Sequence, residues 1–142
     1  MKNELPFAED MPYWKTSKSG IESWLDKTET LIEGIGGRVD TRIVGKSGGS
    51  EGILFGFFID SDAFKMMWPV LPVKKETDRG AALRQCATMI YHDTKARINR
   101  IRIFGPRVVF SDWLVLESGK TLAESGVDAL PAAIQSIKML NQ

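Results

Sequence analysis

The residues with the clearest chemical potential are the single histidine, His92, and the single cysteine, Cys86. An imidazole titrates near neutrality, so His92 beside Asp93 has the composition of a general base with an orienting acid. Consecutive residues on a helix do not face one another, however, and the expectation is a solvated histidine. Cys86 falls between Leu83 and Ile90 on an apolar stripe, where a thiol is an inert core group. A nucleophile needs an exposed, electropositive setting. One histidine and one cysteine are too few soft ligands for a structural zinc site. The carboxylate pairs Asp60 with Asp62 and Glu9 with Asp10 have the chemistry to hold a divalent cation in a small metal-dependent enzyme. Nothing else converges on them, and a turn for the first pair and a solvated arm for the second are the expected roles. No catalytic residue, metal ligand or cofactor is assigned from the sequence.

Two short segments, Gly45-Lys46-Ser47 and Gly119-Lys120-Thr121, have the ending of a phosphate-binding loop. That loop needs a further glycine five positions earlier so that backbone N–H groups wrap a phosphate. Asp40 and Leu114 stand there instead, and turn chemistry accounts for both segments.

One feature stands above background. From Arg79 to Arg107 there are seven basic residues (Arg79, Arg84, Lys95, Arg97, Arg100, Arg102 and Arg107) and one acid, Asp93, a net +6 in a chain whose total is +1. Such asymmetry bears on partners and not on fold. At 3.6 residues per helical turn, Arg84, Thr88, Tyr91, Lys95, Asn99 and Arg102 fall along one line opposite the apolar stripe. These are phosphate-contacting types with an aromatic among them, and Arg84, Tyr91, Lys95, Asn99 and Arg102 are the candidate DNA- or RNA-binding residues. The competing reading is a solvated face balanced by Glu22, Asp26, Glu29 and Glu33 of the preceding helix. Of the four tryptophans, Trp14, Trp24, Trp68 and Trp113, most are expected in the core.

The elements that position these residues follow from hydrophobic period. Residues 1 to 11 read as an extended arm, and Tyr13 to Ser17 as a short first strand. Ile21, Trp24, Leu25, Leu31, Ile32 and Ile35 keep a three-to-four spacing that predicts a helix stopped by Gly36-Gly37. Alternation over Arg38 to Val44 predicts a strand with Val39, Thr41 and Ile43 on one face. Gly45 to Gly52 reads as a hairpin loop. In the next strand, to Asp60, Ile53, Phe55, Phe57 and Ile59 share a face opposite Leu54 and Phe58, the pattern of a strand covered on both sides. A third strand, Ala63 to Val70, carries Phe64, Met66, Trp68 and Val70. Thr77 or Asp78 then caps a helix expected to run to Phe104, with Leu83, Cys86, Ala87, Ile90, Ile98 and Ile101 packed on the sheet. Gly105-Pro106 ends it, and a last helix is expected over Leu130 to Leu140, with Pro131 in its first turn.

The expected fold is therefore α+β: a mostly antiparallel sheet in the order β-α-β-β-β-α with a C-terminal helical extension, in one domain over residues 1–142. A hydrophobic fraction of 43% is enough for a core, while no apolar run approaches the roughly 20 residues needed to cross a bilayer. The acidic start MKNELPFAED is unlike a signal peptide, and a lone cysteine suits a reducing cytoplasm. Four tryptophans, six methionines and an exposed strand edge lead us to expect a homo-oligomer. A protein-interaction or assembly module, meeting an acidic partner or a second copy, is the alternative to nucleic-acid binding.

The segment order, with Lys95-Ala96-Arg97, Gly105, Phe110, Leu114, Leu116, Gly119 and Thr121, resembles a family of small uncharacterised proteins of phages, prophages and some archaeal and bacterial genomes. That family has a helix with a Lys-Ala-Lys-like step and a Leu-x-Leu-x-x-Gly-x-Thr turn. The resemblance covers Tyr13 to about Glu124 and departs around Phe104 to Val109, where Gly-Pro-Arg replaces a more acidic stretch. It implies the strand and helix order and a mobile-element origin, and assigns no catalytic residue.

Overall fold

The computed structural model describes residues 4–47 and 50–125. The helix expected at Leu130 to Leu140 lies outside the described residues. Helix α1 (Ile21–Gly34) is followed by strands β1 (Arg38–Ser47), β2 (Ser50–Ile59) and β3 (Asp62–Pro69), then by α2 (Arg79–Ile98) and the short helices α3 (Ile101–Phe104), α4 (Pro106–Val109) and α5 (Leu122–Ser125). The strands form an antiparallel sheet in the order β1-β2-β3, with α1 and α2 packed on its core face, so the α+β class read from the sequence is present. Among the described residues no helix is long and apolar enough to cross a membrane.

Several local expectations change. Tyr13 to Ser17 is not a strand: Tyr13 and Lys15 take left-handed φ values of 68° and 53°, which turn the chain tightly. The arm before it is tied down. Ala8 is buried, its N–H donates to the Pro72 carbonyl at 2.8 Å, and the buried Gln85 amide donates to the Ala8 and Pro12 carbonyls at 2.8 and 3.0 Å. The expected loop over Gly45 to Gly52 is mostly strand, because both glycines pair with each other in the ladder and the register runs on to Ser47 opposite Ser50. A bulge between Val39 and Thr41 breaks the simple alternation of β1. Asp40 and Thr41 both lie against the Gly56 side of β2, and Arg42 turns toward α1.

The core lies between the sheet and α2. Ile53, Phe55, Phe57 and Ile59 of β2 are buried together with Phe64 and Met66 of β3, Cys86, Ala87 and Ile90 of α2, and Val109, Phe110, Trp113 and Leu114. Leu83, Ile98 and Ile101 pack against this cluster, as the apolar stripe predicts. Phe57 is at its centre, with ring centroids of Phe110 and Phe64 at 5.1 and 5.3 Å, distances at which aromatic pairs attract beyond their area burial. The opposite face of β2 is only half covered, since Leu54 and Phe58 remain partly exposed. On the outer edge of β3, the Val115 N–H donates to the Ala63 carbonyl at 2.9 Å and Leu114 bridges to Phe64.

The long helix stops earlier than periodicity suggests. It breaks after Ile98 and restarts at Ile101, and Gly105, with φ at 79°, turns the chain into Pro106 at the first position of α4. Further on, the Leu114 to Thr121 motif closes a turn through Gly119 (φ 82°), with Leu116 donating to Lys120 and Val115 bridging Thr121. Thr121 and Glu124 then cap one another reciprocally, a capping box that the spacing Thr-Leu-Ala-Glu encodes.

Candidate functional site

The structure sorts the seven basic residues of Arg79 to Arg107 into two groups. Arg97 is a structural hub, half-buried against the Trp113 ring at 4.0 Å and donating to Asp93, to both oxygens of Asp112 and to the Val109 carbonyl. Burial alone would lower its pKa, but Asp112 and Asp93 outweigh that and hold the guanidinium above its ordinary value. Arg107 makes a two-bond pair with Asp62, and Arg79 is shared between Glu51 at 2.8 Å and Glu76 at 3.3 Å. Lys95, Arg100 and Arg102 are exposed and form no ion pair among the described residues. Nor does Arg84, which is half-buried.

Three of the four α1 acids that could balance this group are engaged elsewhere. Glu22, Asp26 and Glu29 all converge on Arg42 of β1, at 2.9, 2.7 and 2.7 Å, on the sheet side of the helix. The balance that α1 was expected to supply to α2 is spent on β1.

The five candidate residues are not one open line. Thr88 is buried and donates back to the Arg84 carbonyl, and α1 and the Tyr13 turn cover the middle of α2. Arg84 is left in a crevice beside Tyr13, Lys15 and Ser17. Tyr91 packs on Trp24, with centroids 5.1 Å apart, and the Lys95 ammonium lies over the Tyr91 ring, 5.9 Å from its centroid. Lys27 adds a second cation over Trp24 at 4.3 Å, which the basic-segment count did not include. Lys95 lies in the last turn of α2, and Asn99, Arg100 and Arg102 follow it through the break into α3, all of them exposed.

Beyond them lies a patch that period alone conceals. Ile103, Phe104 and Val108 are 75%, 54% and 47% exposed. Ile101 packs against the core, whereas Phe104, three residues on in the same turn of α3, is left exposed. Phe104 and Gly105 form one wall of a surface cleft of about 300 Å³ whose other wall is Asp60, Ser61 and Asp62. The two acids are divided: Asp62 is taken up by Arg107, while Asp60 is exposed, in a left-handed turn at φ 54°.

The remaining chemical candidates resolve into structure. His92 is not solvated but half-buried, its ring stacked on Tyr13 at 4.5 Å and 5° with Tyr91 and Trp24 beside it. Burial, and then Lys95, lower its pKa. Asp93 points away to Arg97. Cys86 is buried, and desolvation pushes its thiol pKa up to about 12. A cleft of about 610 Å³, lined by Leu5, Phe7, Val70 and Leu71, lies at the opposite end of the sheet, where Arg79 is already held by Glu51.

Comparison with family models, with curated proteins and with solved structures finds no match to this chain.

Proposed function

We propose that this chain is a non-enzymatic nucleic-acid-binding domain that contacts backbone phosphates through the corner formed by Lys95, Asn99, Arg100 and Arg102. The observation that carries this reading is the division among the basic residues: Arg79, Arg97 and Arg107 are bound by acids, whereas Lys95, Arg100 and Arg102 stand exposed without an ion pair among the described residues. Exposed cations at a helix C-terminus also interact favourably with its dipole. Arg102 is likewise in the last turn of α3, so oligonucleotide binding, and not the placement of these cations, tests the proposal. A setting in phage-type DNA metabolism is attached to this reading by the family resemblance alone.

The test is fluorescence anisotropy of labelled oligonucleotides titrated with protein at increasing salt. Each phosphate contact releases counterions and contributes about 0.9 to the log–log salt slope on duplex DNA and about 0.7 on single strands. Replacing Lys95, Arg100 and Arg102 together by Gln is expected to flatten that slope and to weaken all sequences alike. Absence of binding to DNA and RNA at low salt and micromolar protein refutes the proposal.

A second reading, self-association, has its own observation. On the open face of the sheet, Ile43, Leu54 and Met67 are direct neighbours across all three strands, and Ile43 and Met67 are 54% and 49% exposed. A second copy of the chain is the partner this row would take.

A further inference from the structure

We infer that the nucleic acid taken by this corner is single-stranded, with an unstacked base lying on Phe104. The inference rests on the nucleic-acid reading above and adds the class of strand.

Phosphate contacts need cations and hydrogen-bond donors, which Lys95, Asn99, Arg100 and Arg102 supply. They give no role to Ile103, Phe104 and Val108, which form the next turns of the same corner and are among the most exposed large apolar side chains of the described chain. An apolar ring next to cations has a use where the ligand offers both a charged backbone and an uncharged flat face. Nucleic-acid bases provide that face. In a duplex the faces are stacked inside, and reaching them costs a few kcal/mol per opened step. In a single strand they are already accessible, and stacking on an aromatic side chain contributes about 1–3 kcal/mol per base.

The corner suits that geometry. Phe104 donates its N–H to the Arg100 carbonyl at 3.0 Å, and Gly105 bonds back to Ile101 at 2.8 Å, so the ring stands on a hydrogen-bonded turn next to the cations. Pro106 fixes the chain just beyond it. The other aromatic rings near Lys95 are occupied: Tyr13 lies face to face on His92, and Tyr91 is against Trp24. Across the cleft, Arg107 neutralises Asp62, which leaves Asp60 as an exposed acid opposing a phosphate.

The experiment compares an oligothymidine strand with a duplex of equal length by anisotropy, for the wild type, Phe104→Ala, Phe104→Trp and Asp60→Asn, with circular dichroism and thermal melting of each variant. The wild type is expected to favour the single strand. Phe104→Ala should weaken single-strand binding by about 5- to 150-fold and leave duplex binding unchanged, the range that corresponds to one lost stacked base. Phe104→Trp should bind the single strand at least as tightly as the wild type, and Asp60→Asn should strengthen binding to both forms. Equal wild-type affinity for the two forms, or equal losses on both in Phe104→Ala, overturns the single-strand inference while leaving the phosphate contacts in place. If Phe104→Ala melts early, Phe104→Trp decides, and a loss of single-strand affinity there overturns the inference. Binding to neither form refutes the nucleic-acid reading itself.

Discussion

Arg97 joins the end of α2 to the segment that closes the core. It bonds to Asp93 one turn back, to Asp112 and Val109 ahead, and lies over Trp113. Removing it leaves Asp112 and the Val109 carbonyl without this partner and strips the ring of its cover. Arg97→Ala is therefore expected to destabilise the fold by about 1–2 kcal/mol, through lost hydrogen bonds and lost packing on Trp113 with partner acids that water can solvate, and Arg97→Lys by less, as measured by urea unfolding. His92 predicts a pH dependence of definite sign. Its pKa in the folded chain lies below the ordinary value of about 6.5, so between the two values the unfolded chain binds more protons. The stability that His92 contributes is complete above about pH 6.5 and is lost as pH falls toward its lower folded value. Melting temperatures recorded from pH 7 down to pH 5 should decline, and His92→Phe should remove part of that decline. No change in slope between the two proteins would contradict this account.

At the level of elements, the joint between α1 and β1 is the tightest. Gly36 takes the left-handed conformation at φ 86°, and a Cβ on Gly37 would come within 2.6 Å of the Ile32 side chain and 3.1 Å of the Phe58 carbonyl. Backbone lies on two sides of that position, so the strain has little room to relax. Gly37→Ala is expected to destabilise by about 1–3 kcal/mol, the usual cost of overpacking, with thermal unfolding as the measurement. Gly34→Ala, where a Cβ meets nothing, should be neutral or stabilising. The break at Asn99 and Arg100 belongs to this scale too. It ends α2 after Ile98 and leads into α3, which carries Arg102 and the exposed Phe104 of the corner on which the proposed function rests.

For the whole molecule, the uneven distribution of charge matters more than its sum. Glu22, Asp26 and Glu29 of α1 are drawn to Arg42, Arg107 to Asp62 and Arg97 to Asp112, so that within the Arg79 to Arg107 segment the exposed cations without ion pairs among the described residues are Lys95, Arg100 and Arg102, at the end of α2 and in the turn that follows. The open sheet face is a separate surface. If it joins two copies, light scattering should show a mass that rises with concentration, and Ile43→Lys should abolish that rise without weakening oligonucleotide binding by a monomer. A constant monomer mass at tens of micromolar, in contrast, leaves the row of Ile43, Leu54 and Met67 without that role.

The helix and strand periods of α1, β2, β3 and α2 were legible because each keeps its apolar residues at the spacing of its own geometry, and the burial of Ile53, Phe55, Phe57 and Ile90 follows from that spacing. Cys86 was legible for the same reason. The cationic segment was visible as composition, but its working part was not. Which arginines are taken by acids depends on residues far apart in the chain, such as Asp62 for Arg107 and Glu51 for Arg79, which only the packed sheet and helices bring together. The covering of Thr88 and Tyr91 by α1 and the Tyr13 turn, and the exposure of Phe104, were likewise decided by tertiary structure. A helical period states which residues share a face, and it takes a neighbouring element to determine whether that face meets protein or water.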